Sequence, residues 1–128
     1  MCRVRILLVD DSPAFVASAR RALALETGAD VIGWAFSADE AVALTQVDQP
    51  NLALVDLRMP GTDGLEVTRR LKALDPQIRV VIVTLYDDWE HRNAAVEAGA
   101  DGFVRKADFD DGVRKLVQEM RDGGCACT

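Results

Sequence analysis

Apolar residues along this chain fall into short, dense runs, separated by longer stretches in which they recur every three or four positions. The dense runs are Ile6–Val9, Val31–Phe36, Leu52–Val55 and Val80–Val83, with a weaker one at Gly102–Val104. Runs of this length without polar alternation, bounded by turn-forming residues, predict strands buried on both faces, as in a parallel sheet. The intervening stretches predict helices. Ser12 followed by Pro13 is an N-cap with proline at the first helical position. Ser37 with Glu40, and Asp63 with Glu66, are spaced as capping boxes. Val67, Leu71 and Leu74 share one helical face, and Phe109, Val113, Leu116, Val117 and Met120 share another. Gly28 and Gly99 stand where helices should stop, and Asp75-Pro76 ends the third one. The expectation is an α/β fold of (βα)5 type: a five-stranded parallel sheet, doubly wound, with helices on both faces. Residues 1–122 form one domain, and 123–128 read as a tail or the start of a linker.

Composition narrows this picture without redirecting it. A chain of 128 residues can bury a core without staples. Its net charge of -6 argues against non-specific nucleic-acid binding by this chain alone and mildly favours cationic partners, metal ions included. No apolar run approaches the ~20 residues of a membrane span. Arg3 and Arg5 are followed by only four large apolar residues, too few for a signal peptide, so the expected location is cytoplasmic and no membrane partner is expected. The three cysteines, Cys2, Cys125 and Cys127, lie near the chain ends. The Cys125–Cys127 pair could bind a metal or oxidise, but no third or fourth ligand is near in sequence, and it reads as a tail without a role.

The chemistry concentrates just after the runs. ILLVDDSP ends its apolar run in two adjacent acids, Asp10 and Asp11; Asp56 follows the third run, Thr84 the fourth, and Arg105 and Lys106 the fifth. In an open parallel sheet, ligands bind beyond the carboxyl ends of the strands. Three acids, a hydroxyl and an ammonium are thereby expected at one edge. Crowded carboxylates would hold protons unless a cation joined them. Carboxylates, a backbone carbonyl and waters suit Mg²⁺. Any one of these residues has a plain alternative: a strand-end acid can simply cap the next helix, Asp11 could cap the first helix in place of Ser12, and a lone lysine is usually solvated. Their joint occurrence after four runs carries the signal.

VDDSP, LVDLRMPGTDGLE, VIVTLYDD and EAGADGFVRKA, in this order and spacing, resemble the receiver domain of bacterial two-component response regulators, from about Val4 to Met120. The resemblance implies a flavodoxin-like receiver fold and a phosphoacceptor signalling domain, not a conventional enzyme, that catalyses its own phosphorylation and dephosphorylation. It implies that Asp56 is the phospho-acceptor. It also implies that Asp11 holds Mg²⁺ directly, Asp10 through water, and Asp56 and the Arg58 backbone carbonyl complete the protein ligands. Lys106 would contact the acceptor and then the phosphoryl group. Thr84 would be the switch hydroxyl and Phe103 the switch aromatic, acting on the face of the fourth helix, fifth strand and fifth helix. The implied partners are a sensor histidine kinase and a second copy in a homodimer, with DNA reached only through an output domain outside this chain, in a transcription regulator. One departure is Ala107 after the lysine, where the family often has a cis-linked proline. Phe103 also lacks a hydroxyl. Trp89 and His91, near the start of the fourth helix, read as partly exposed, with His91 a solvated or satisfied histidine.

The sequence also admits other functions. The chain could be a stand-alone single-domain receiver, or a receiver-like dimerisation module that is not phosphorylated. An aspartyl-phosphate hydrolase on a similar scaffold would place a second acid two residues after the nucleophile, where this chain has Arg58. No glycine-rich loop follows the first run, which removes a nucleotide-binding reading.

Overall fold

The computed structural model describes residues 3–85 and 88–123. Among them, β1 (Val4–Val9), β2 (Ala29–Ala35), β3 (Leu52–Asp56), β4 (Arg79–Thr84) and β5 (Gly102–Arg105) form one sheet. Every pairing in it is parallel and the strand order is β2-β1-β3-β4-β5. Five helices alternate with them: α1 (Pro13–Ala24), α2 (Ala38–Asp48), α3 (Gly64–Leu74), α4 (Trp89–Glu97) and α5 (Phe109–Asp122). A short 3₁₀ turn, Lys106–Asp108, leads into α5.

The dense apolar runs are explained by two cores, one on each face of the sheet. Ile6, Leu8, Leu54 and Val81 pack with Val16, Ala19 and Leu23 of α1 and Val113, Val117 and Met120 of α5. Leu7, Val9, Val55 and Ile82 pack on the opposite side with Ala41 of α2, Val67 and Leu71 of α3 and Ala95 of α4. Successive side chains of a strand point to opposite faces, so the three central strands are apolar at nearly every position, while the edge strands β2 and β5 are only partly buried. Each such side chain removed from water contributes roughly 1.5–3 kcal/mol.

The register sets the strand ends side by side. Leu8 pairs with Leu54, Val9 with Val55, and Asp56 with Val83. After β1 the chain goes to one edge for β2, then returns past β1 to lay down β3. That reversal opens a crevice at the carboxyl ends of β1 and β3.

Details differ from the sequence-based expectation. β2 begins at Ala29 and ends at Ala35, so Phe36 lies outside it with 55% of its surface exposed. Leu74, the last residue of α3, is 40% exposed, whereas Leu71 one turn earlier is fully buried. The Asp63–Glu66 capping box does not form. Asp63 instead accepts from the amide of Leu65 at 2.9 Å, and Glu66 lies 3.6 Å from Arg69 on the exposed side. The Ser37 cap does form: its Oγ accepts from Glu40 N, while the Glu40 carboxylate takes the amide of Phe36. No cis peptide bond occurs among the described residues, so Lys106–Ala107 is trans. Cys2, Cys125 and Cys127 lie outside the described residues, as does the 123–128 tail apart from Gly123, which caps the end of α5.

Candidate functional site

Asp10 follows the last residue of β1 and is only 3% exposed. Its amide donates to the Ala35 carbonyl at 3.0 Å, and its Oδ1 accepts from the Ser12 amide at 2.8 Å. Ser12, not Asp11, caps α1, its Oγ accepting from Phe15 N at 3.2 Å. Asp11 is therefore left exposed and free of a capping duty.

Asp56 is the last residue of β3 and is also buried. The segment after it is shaped by a feature the apolar pattern does not announce. Arg58–Met59 and Thr62–Asp63 pair as a two-residue antiparallel ladder around a turn in which Gly61 has a φ of 70°. α3 then begins at Gly64, whose amide donates to the Leu57 carbonyl at 2.9 Å. A Cβ at position 64 would overlap the Asp56 carbonyl oxygen and lie 2.8 Å from Leu57 Cα. Glycine is needed here for close approach, so the start of α3 braces the end of β3.

Lys106 reaches back over the crevice from the end of β5. Its Nζ is 3.0 Å from Asp10 Oδ2 and 3.8 Å from Asp56 Oδ2, so the ammonium sits nearer Asp10 than Asp56. It also lies 4.3 Å from the centroid of the Phe15 ring, a cation–π contact that holds the stem from the α1 side. The ammonium approaches Asp10 Oδ2 off the hydrogen-bonding direction. That buried oxygen thus has a charged neighbour but no aligned donor.

One carboxylate oxygen from each of Asp10, Asp11 and Asp56 falls within a span of 4.8 Å. A single ammonium against three carboxylates leaves the pocket short of positive charge. The consequence appears at Asp56, whose pKa rises from 3.8 to about 6. Burial is the largest cause and the Asp10 charge the next. Lys106 and a backbone hydrogen bond from Arg58 pull the other way, and Asp11 adds a smaller upward push. The residues present fit a hard divalent cation. Among the described residues the donors are all oxygens, the Asp10 oxygen lacks an aligned partner, and no histidine belongs to the cluster.

The remaining sequence-predicted residues surround this pocket. Thr84 is buried at the end of β4 and pairs with Arg105 across to β5. Phe103 is half-buried on β5 against the α2–α3–α4 core, with the Arg92 guanidinium of α4 4.9 Å from its ring centroid. His91 is satisfied. Its Nδ1 is 2.6 Å from Asp88 Oδ2, and its Nε2 is 3.1 Å from Arg58 Nη2. Arginine can only donate, so Nε2 accepts and Nδ1 carries the proton. The His91 amide and ring hold the Asp88 carboxyl below its usual range. Trp89 is 76% exposed.

Four contributors escape a reading of the sequence: Phe15 under the lysine, Trp34, whose indole donates to the Asp10 carbonyl at 2.6 Å, the Ser12 amide, and Gly64. Only Gly64 carried a signal, since glycine is a poor choice for the first turn of a helix unless something lies close to it.

Comparison with known proteins agrees with this geometry. A family model described as the response regulator receiver domain matches residues 6–118. The response regulator GacA of Pseudomonas viridiflava is 35% identical over 118 residues, which is 92% of this chain and 54% of that protein. The probable transcriptional regulatory protein NarL of Mycobacterium tuberculosis is 31% identical over 121 residues, 94% of this chain and 56% of that protein. The chain thus spans about half the length of these curated relatives. The solved signal receiver domain of the M. tuberculosis NarL superposes with a TM-score of 0.86, covering 96% of this chain and 99% of that one. The Mn²⁺-bound form of response regulator Rcp1 superposes with a TM-score of 0.73 at 27% identity, covering 91% of each chain.

Proposed function

The chain belongs to the response regulator receiver family, and from that premise we propose that it accepts a phosphoryl group on Asp56 from a sensor histidine kinase and passes the event to its α4–β5–α5 face. The observation that carries the proposal is the convergence of Asp10, Asp11 and Asp56 within 4.8 Å, with Lys106 bridging two of them. Residues 1–122 are the receiver domain. The chain spans about half the length of its curated relatives, and one of them is described as a transcriptional regulator. The whole protein is therefore proposed to be a transcription regulator whose output domain binds DNA.

Asp10, Asp11, Asp56 and the Arg58 backbone carbonyl are the proposed Mg²⁺ ligands, with Asp10 acting through water. When bound, Mg²⁺ would neutralise charge on the ligands and on the transferring phosphoryl oxygens. The remaining work falls to the chain. An Asp56 carboxylate oxygen attacks phosphorus. The new O–P bond replaces the N–P bond of the donor phosphohistidine, whose imidazole leaves with the electron pair and takes a proton. Asp56 must be ionised to attack, and Lys106 and the Arg58 backbone favour that form against the cost of burial. Lys106 then moves its contact from carboxylate to phosphoryl oxygen. Water later attacks phosphorus, the Asp56 O–P bond breaks, and inorganic phosphate leaves the restored carboxylate.

The product adds close to two negative charges at the end of β3. Thr84, buried one strand over, is the proposed hydroxyl that turns to a phosphoryl oxygen. The space it leaves is taken by Phe103, which must slip from under Arg92 to turn inward. Without a phenol hydroxyl, Phe103 signals by packing alone. A second copy of this chain is the proposed partner of the changed face.

The test is incubation with Mg²⁺ and acetyl phosphate, followed by intact mass. The wild-type chain should gain one phosphoryl mass and Asp56→Asn should not. A phosphorylated wild type that Asp56→Asn matches would refute the site. Thr84→Ala should still gain the mass but lose most of the phosphorylation-dependent amide shifts of α4, β5 and α5; a full set of shifts would rule out the switch.

A further inference from the structure

Trp34 has no part in the phosphoryl chemistry, yet its indole Nε1 donates to the main-chain oxygen of Asp10 at 2.6 Å, across 24 residues of sequence. That oxygen and the Asp11 amide belong to one planar peptide unit. Fixing the oxygen fixes the tilt of the plane, and with it the directions in which the Asp10 and Asp11 side chains leave the backbone. The other polar atom of Asp10 is held from the same strand, its amide donating to the Ala35 carbonyl at 3.0 Å. β2 thus grips the Asp10 main chain at both its donor and its acceptor. The strand pairing brings this about: Leu8 is level with Trp34 and Val9 with Ala35, so the indole needs to reach only a short way along β1. The ring itself is half-buried against the α1–α5 core, with Phe36 packed edge-on at 6.1 Å between centroids. Asp11 has no such support of its own, being exposed.

We propose that Trp34 is a positioning residue for the acidic pair: its indole sets the Asp10–Asp11 peptide so that both carboxylates converge with Asp56 on one cation. The inference rests on reading the acidic pocket as a cation site. Trp34 touches no reacting atom, and its effect passes entirely through the peptide plane.

The experiment uses the full chain, ¹⁵N-labelled, with magnesium chloride as the probe and amide shifts of Asp11 as the signal. Trp34→Phe keeps a large aromatic ring and removes the donor; Phe36→Leu perturbs the neighbouring packing and leaves the donor. Trp34→Phe should bind Mg²⁺ about fivefold more weakly, the factor carried by one neutral hydrogen bond of ~1 kcal/mol. Phe36→Leu should bind as wild type does. In the metal-free wild type, the Trp34 indole N–H should exchange with solvent at least about tenfold more slowly than that of the exposed Trp89. Saturating Mg²⁺ should move the Trp34 indole resonance and leave that of Trp89 in place. A Trp34→Phe affinity equal to that of wild type or of Phe36→Leu would overturn the inference, as would a Trp34 indole that exchanges as fast as Trp89 or ignores Mg²⁺. A wild-type chain whose Asp11 amide is itself indifferent to Mg²⁺ would instead strike the cation reading of the pocket, and this inference with it.

Discussion

At the amino rim of the sheet, Asn51 ties together the starts of three strands. Its Oδ1 accepts from the Arg5 amide at 2.6 Å, its amide donates to the Arg5 carbonyl at 3.0 Å, and its carbonyl accepts from the Arg79 amide at 3.1 Å. Its Nδ2 reaches the Arg3 carbonyl at 3.2 Å. Nearby, Lys72 meets the Ile78 carbonyl at 2.8 Å and Asp101 at 3.0 Å, while the same Asp101 oxygen takes the Val80 amide. The Thr45 hydroxyl is buried there without a partner among the described residues, and it bears no charge. The carboxyl rim is built otherwise. Three carboxylates crowd together, the one ammonium among them is misaligned on Asp10, and Asp56 is pushed toward its protonated form. Both rims carry polar groups, partly buried at the first and largely buried at the second. The first pairs opposite charges and matches donors to acceptors, which costs little and locks strands in register. The second accumulates like charge, which favours the protonated form of a buried carboxylate unless a cation joins the cluster. Polarity at a strand end is therefore a weak sign of function; like charge left uncompensated is a stronger one.

The carboxyl rim is most vulnerable at the brace behind Asp56. Gly64→Ala drives a methyl group into the Asp56 carbonyl and Leu57 backbone. It should destabilise the chain by about 3 kcal/mol or more, because backbone cannot yield as a side-chain tip can. Urea unfolding would measure the loss, and a cost below about 1 kcal/mol would show that the brace has slack.

Removing the charge stress should do the reverse. Asp56 has a folded pKa of about 6 against 3.8 for the free side chain. The folded state therefore binds this proton more tightly than the unfolded state does. The resulting stability is present in full below pH 3.8 and is lost as pH rises through about 6. In metal-free buffer at neutral pH, Asp56→Asn should be more stable than wild type by on the order of 2 kcal/mol. The two should converge near pH 4, and added Mg²⁺ should stabilise wild type alone. Equal unfolding midpoints at pH 7.5 without metal would mean that the pocket is not strained.

The amino rim should behave as plain structure. Asn51→Ala leaves the Arg5 amide without its side-chain acceptor and should cost about 1–3 kcal/mol. Mg²⁺ affinity, read from amide shifts, should stay within a factor of two of wild type. A large change in affinity would mean that the rims are coupled through the strands.

Much of the fold was legible because burial leaves a mark on each residue separately. The uninterrupted runs at Ile6–Val9 and Leu52–Val55 announce strands covered on both faces, and the Ser12-Pro13 and Ser37–Glu40 signals start helices where the structure starts them. Asp63 caps α3 as its position suggests, but Glu66 does not complete the box; the two-residue ladder that ends at Asp63 sets the entry to α3, and spacing alone does not reveal a ladder. The candidate site was legible to the same degree: the motif residues announced which side chains stand at strand ends, but not how they meet.

The order of elements, the faces they bury and the set of charged residues at the carboxyl rim follow from local periodicity and from the position of each residue after its apolar run. That Lys106 leans toward Asp10, that Phe15 lies under it, that Trp34 holds the Asp10 carbonyl and that Gly64 has no room for a side chain emerge from the packed fold alone. Those contacts join residues far apart in the chain. They depend on strand register and on how each helix is turned against the sheet, which packing of the whole molecule selects and no single segment encodes.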